Sequence, residues 1–125
     1  MSPITWVEFL AAAAIGAPAR FLVDEFVQHA TGRAFPWGTS VINVTGSLLL
    51  GFLSGLVLYH AVSPDVRLVL GTGFCGAYTT FSTFAFETVR LAETDRKRAS
   101  IGNVALNTIG GLAAAATGLA LAAAV

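Results

Sequence analysis

Four apolar stretches, at about 4–27, 39–61, 66–91 and 99–124, take up most of this chain, and each is long enough to cross a bilayer. A helix needs about 20 predominantly apolar residues to span the hydrocarbon core. The segments between them are HATGRAFPWG, the SPD of Ser63–Asp65, and ETDRKR. Connections this short make sequential helices antiparallel neighbours and leave no room for a soluble domain, a nucleotide site or a long lid. Composition points the same way. Charged residues make up 11% of the 125 residues and hydrophobic ones 55%, against roughly 25% charged in ordinary soluble domains. Mean hydropathy is +0.75. The expected fold is an all-α membrane protein, one four-span domain over 1–125. The N-terminus lacks the basic residues of a signal peptide, so the first span is expected to be retained.

Zero net charge and a pI near 6.7 suggest no nucleic-acid partner. Cys75, the one cysteine, excludes an intrachain disulfide and is too little for a metal site. Nothing in the pattern suggests an enzyme. Trp6, Trp37 and Tyr59 fall near span ends, where aromatic belts sit, though ordinary lipid-facing positions fit them equally well. Small residues four apart, Gly51 and Gly55 in the second span and Gly110 and Ala114 in the fourth, suggest close helix packing and say nothing of its purpose. Four helices fill their own centre with side chains, so a transport function implies assembly. Basic residues are uneven. Arg67 is alone on the side of the termini, whereas Arg33, Arg90, Arg96, Lys97 and Arg98 lie opposite, with Arg20 leaning toward them. The positive-inside rule then puts loops one and three in the cytoplasm.

Polar residues inside a membrane are functional candidates because each needs a partner. Thr39, Asn43 and Ser47 share one face of the second span; Asn103, Asn107 and Gly111 share one of the fourth; Thr79, Thr83 and Glu87 have the same spacing in the third. A single Ser or Thr ordinarily bonds back to its own helix. Three stripes in one small chain look instead like the walls of a polar track. Amides and hydroxyls donate hydrogen bonds, and Glu87 is the only clearly intramembrane acid, so the track suits a small anion.

The third span, VLGTGFCGAYTTFSTFAFETV, has glycines at 71, 73 and 76 followed by Thr79 and Thr80. Such a run is expected to unwind within the membrane where the freed backbone is buried or lines a cavity. Freed carbonyls there suit a cation. Phe81 and Phe84, at i and i+3, carry positive ring edges that help hold a desolvated anion when turned toward it, although packing is the commoner fate of a lone Phe pair.

GAPAR at 16–20, FPWGTSVINVTGSLLLG at 35–51 and GFCGAYTTFSTFAFET at 73–88 closely resemble, in order, the GAxxR, (F/W)PxGTxxxNxxG and GxxGxxTTFSTFxxET blocks of the Fluc (CrcB) fluoride channel family. The resemblance covers nearly the whole chain. It implies an antiparallel, dual-topology dimer with a broken third helix, two fluoride pores and a structural sodium ion at the dimer centre. It implies aromatic-box roles for Phe81 and Phe84, an amide donor in Asn43, and pore hydroxyls in Thr80, Ser82 and Thr83. Asn107 would continue the fluoride pathway. Gly76 and Thr79 would offer carbonyls to sodium, and Arg20 would draw anions into a vestibule. Glu87 matches an acid of the family, its role open. Passive export of cytoplasmic fluoride across the cell membrane, conferring fluoride resistance, is the function implied.

This chain departs from the family in three places. Asn103, Asn107 and Gly111 stand where members often carry a Tyr and two Ser. Tyr78 is bulky beside the expected sodium site. The basic bias favours one orientation, whereas a dual-topology homodimer needs balance, so an oppositely oriented paralogue is an alternative partner. A small multidrug-type, proton-coupled exporter is the competing class, but its mid-span acid is missing: Glu8 lies near the membrane surface, and Arg20 repels cations. A membrane scaffold leaves the polar stripes unexplained.

Overall fold

A computed structural model describes residues 1–125 and is helical throughout, with no strands. The first helix, α1, covers Pro3–Thr31; Ser2 caps it by accepting the Thr5 N–H, and Pro3 occupies the first turn, where its missing N–H costs nothing. The second, α2, covers Trp37–Tyr59. The third span is two half-helices. A leading half runs from Pro64–Val66 through a wide π-wound stretch, Arg67–Cys75, to Gly76–Tyr78, and a trailing half covers Ser82–Glu93. The last helix spans Lys97–Ala124, with a second π-wound stretch at Leu106–Gly110. Three helices (Pro3–Thr31, Trp37–Tyr59 and Lys97–Ala124) are long and apolar enough to cross a membrane unbroken.

The break falls at the threonine end of the expected run, over residues 79–81, and not at its glycines. Gly71, Gly73 and Gly76 stay helical, the Gly76 N–H reaching five residues back to the Gly71 carbonyl. The chain leaves the helix at Thr79, in extended geometry with φ −83° and ψ 162°. Glycine widens the turn here, and consecutive β-branched threonines end it. The expected Thr79, Thr83 and Glu87 stripe is therefore divided: Thr79 ends one half-helix, and Thr83 and Glu87 belong to the other.

Two helix pairs form the body. α1 packs on the leading half-helix, and α2 packs along the last helix. The second contact is close enough to exclude side chains. A Cβ at Gly51 would run into the Ala115 carbonyl, and one at Gly118 into the Leu48 carbonyl and the Phe52 N–H. Gly55 faces Ala122 and Leu119. The interface expected at Gly51 and Gly55 thus lies within the chain. The last helix meets it with Ala115, Gly118 and Ala122, whereas Gly110 makes no such close approach. His60 ties its far end, with Nε2 2.6 Å from the Ala122 carbonyl.

Gly51→Leu should destabilise the fold by about 1–3 kcal/mol through overpacking, read as a lower thermal midpoint of the purified protein. Gly102→Ala, where a Cβ meets nothing within 4 Å, should leave the midpoint unchanged or slightly raised.

Candidate functional site

The break would expose backbone polar groups in a membrane interior, where each unsatisfied group costs several kcal/mol. Asn43 of α2 satisfies them. Its Oδ1 accepts the Thr80 N–H at 2.9 Å, and its Nδ2 donates to the Thr80 carbonyl at 3.0 Å. One side-chain amide thus serves both polar groups of one residue, as a neighbouring strand would. Gly46 permits the approach, because a Cβ there would collide with the Thr79 methyl and press on the Tyr78 ring. Tyr78 is held in turn: its hydroxyl lies 2.9 Å from that of Thr45, and its ring stacks on Phe74 with centroids 5.6 Å apart.

On the far side of the break the Thr80 hydroxyl accepts the Thr83 N–H at 3.2 Å, starting the trailing half-helix as an N-cap does. The same hydroxyl donates to that of Thr83 and lies 3.5 Å from that of Ser82. Thr80 faces the cavity described below; Ser82 and Thr83 lie outside its wall.

At the end of the leading half-helix, Thr79 still bonds the Cys75 carbonyl through its N–H and its hydroxyl. The Thr80 N–H, which would close the next turn on Gly76, goes to Asn43 instead, so the Gly76 carbonyl loses its helical donor. The Thr79 carbonyl accepts from Arg20 Nη1 at 3.3 Å. These carbonyls stand at the negative end of a half-helix and are hard oxygen donors of the kind an alkali cation takes. Their chemistry fits such an ion, and Arg20 already brings a positive charge to one of them. No side-chain cluster of His, Cys, Asp or Glu offers a rival metal site.

A cavity of about 490 Å³ opens beside the break. Asn43, Thr79, Thr80, Phe81, Phe84 and Asn107 are among its walls, as are residues of both π-wound stretches, Thr72 and Thr108. Phe81 and Phe84 meet edge to face, with centroids 5.7 Å apart and planes at 63°. Phe81 is 78% exposed, unusual for a phenyl ring beside a polar cavity.

The remaining stripe residues divide. Thr39 donates to Glu87 Oε1 at 3.0 Å, and Glu87 Oε2 is buried without a partner. Ser47 bonds back to the Asn43 carbonyl of its own helix. Asn103 is fully buried and donates to the Thr88 hydroxyl at 2.9 Å; Asn107 donates to Asn103 and to Ser40. Ser40, Thr88 and the Thr45–Tyr78 pair were not singled out from the sequence, although Ser40 stands three residues before Asn43 and Thr88 directly follows Glu87.

The family described as CrcB-like protein, Camphor Resistance (CrcB), matches residues 7–119. Fluoride-specific ion channel FluC 1 of Streptomyces avermitilis is 45% identical over 116 residues, covering 93% of this chain and 94% of its own length. FluC 1 of Symbiobacterium thermophilum is 48% identical over 120 residues, covering 94% and 97%. FluC 2 of Mycobacterium tuberculosis is 45% identical over 113 residues, covering 90% and 86%.

Asn43→Leu keeps the branching of the side chain and removes the pairing, leaving two Thr80 backbone groups without partners. At about 1–3 kcal/mol per orphaned group, the variant should lose about 3 kcal/mol, measured by reversible unfolding in detergent.

Proposed function

The chain belongs to the CrcB family, and from that premise we propose that it is a fluoride-selective ion channel that lets cytoplasmic fluoride leave the cell passively and so confers fluoride resistance. It is a membrane transport protein and not an enzyme. One observation carries the proposal: an edge-to-face phenylalanine pair, Phe81 and Phe84, stands on the wall of a cavity shared with Asn and Thr side chains beside a helix break. Ring edges and hydroxyl donors hold a small dehydrated anion without a fixed positive charge, so the ion binds and also leaves. The Asn43 and Asn107 amides, engaged with protein partners, shape the site around it.

The working unit is an antiparallel dimer in the cell membrane. Support comes from Phe81, whose exposure on the single chain gives it a natural place against a second subunit. The partner is either a second copy or an oppositely oriented paralogue. The crowding of Arg96, Lys97 and Arg98 into one loop favours a fixed orientation and hence the paralogue. A sodium ion between the subunits would rest on the Gly76 and Thr79 carbonyls and fix the two breaks against each other, with Arg20 moving off Thr79 toward the anion entrance. Thr80 lines the pathway, and the Ser82 and Thr83 hydroxyls lie behind it. Asn107 continues it into the last helix.

A proton-coupled exporter of cationic drugs is less well supported. Glu8, the only acid in the first half of α1, is exposed and does not line the cavity.

Liposomes loaded with fluoride and carrying the purified chain, alone or together with an oppositely oriented paralogue, should discharge it under a potassium gradient with valinomycin, while chloride stays trapped. Phe81→Ile and Asn43→Asp should each abolish fluoride discharge. Equal passage of chloride would sink the channel reading. Robust flux from the chain alone would exclude the need for a paralogue.

A further inference from the structure

The amides of the last helix do more than continue a polar wall, because their hydrogen bonds run in one direction. The Thr80 backbone N–H only donates, so the Asn43 atom facing it is the carbonyl oxygen. The Asn43 Nδ2 must then face the Thr80 carbonyl and the Asn107 Oδ1, 2.8 Å away. With its oxygen spent, Asn107 turns its Nδ2 to the Asn103 Oδ1 at 3.0 Å. Asn103 in turn donates to the Thr88 hydroxyl at 2.9 Å, and Thr88 donates to the Phe84 carbonyl at 2.8 Å. The chain of bonds starts on the residue before Phe81 and ends on Phe84. Both N–H groups of Asn43 are spent within it, one on Thr80 and one on Asn107.

We propose that Asn103 and Asn107 are positioning residues: they act on the conduction pathway through Asn43, as a one-way amide brace whose two ends grip the trailing half-helix on either side of the aromatic pair. Asn103 is fully buried and is not itself part of the cavity wall, which it meets only through Asn107. The trailing half-helix needs such a brace. Apart from the start of the last helix it packs on little of the body, and Phe81, Phe86 and Val89 on it are exposed. Hydrogen bonds in a water-poor interior reinforce one another along a chain, so opening any link loosens the whole. The conductance consequence rests on the channel reading; the brace itself does not.

The test has two readouts on the full-length protein. The first is hydrogen exchange at the Thr80 amide, followed by NMR in detergent micelles. Asn103→Leu and Asn107→Leu should each speed that exchange about tenfold, the size of one lost buried hydrogen bond. Unchanged exchange in Asn103→Leu overturns the brace. The second is fluoride discharge from liposomes. Each variant should lose about tenfold, and the double variant should be no slower than Asn107→Leu alone, because both open the same chain. Losses that multiply to about a hundredfold mean two independent roles and overturn the brace. Should Asn103→Leu not fold, Thr88→Val, which removes the hydroxyl that accepts from Asn103 and donates to the Phe84 carbonyl, is expected to speed Thr80 exchange, and unchanged exchange there is equally contrary. Failure of the wild type to pass fluoride would overturn the channel reading alone, since the exchange readout stands without it.

Discussion

Everything at the centre of this molecule depends on one side chain pairing with one residue's backbone: Asn43 with the N–H and carbonyl of Thr80. A helix cannot open inside a bilayer unless the groups it frees find partners. Asn43 supplies both at once, because a side-chain amide presents a donor and an acceptor side by side without carrying charge. With that pairing in place the leading half-helix can end in unshared carbonyls and the trailing half can begin with Phe81. Without it the chain would be driven to close the turn and bury both features.

The two halves of the fold are held by different forces. α2 and the last helix meet through glycines at backbone contact, a rigid union based on van der Waals packing. The trailing half-helix is held to that union mainly through polar groups: Thr39 to Glu87, Ser100 to the Thr88 carbonyl, and Asn103 to the Thr88 hydroxyl. Polar bonds are directional, so they specify where Phe81 and Phe84 stand more sharply than apolar packing on an exposed face would. Glu87 keeps one oxygen buried and unpaired, an expensive group to retain.

Much of this is legible in the sequence, and the exceptions have physical reasons. Four spans and their short connections follow from apolar length alone, and the small residues at 51 and 55 do mark an interface. That the third span breaks near Thr79 and Thr80 is also readable, but what fixes the break is not: helix termination here depends on Asn43, 37 residues away in sequence, taking the Thr80 N–H from Gly76. The stripe rule placed Asn103 and Asn107 on one face. It could not show that Asn103 is sealed from the cavity, nor that Thr88 is its partner. Side-chain hydrogen bonds between distant helices leave no periodicity to find. Arg20 illustrates the same limit, since only the packing of α1 on the leading half-helix brings its guanidinium to the Thr79 carbonyl.

A conduction path through the break at Thr79–Phe81 is most directly tested by the reversal potential of the protein in a planar bilayer with fluoride on one side and chloride on the other. A fluoride-selective path puts the current's reversal at large voltages of the sign that fluoride alone dictates, and exchanging the two solutions inverts it. Reversal near zero, or at a voltage set by the cations, would contradict it.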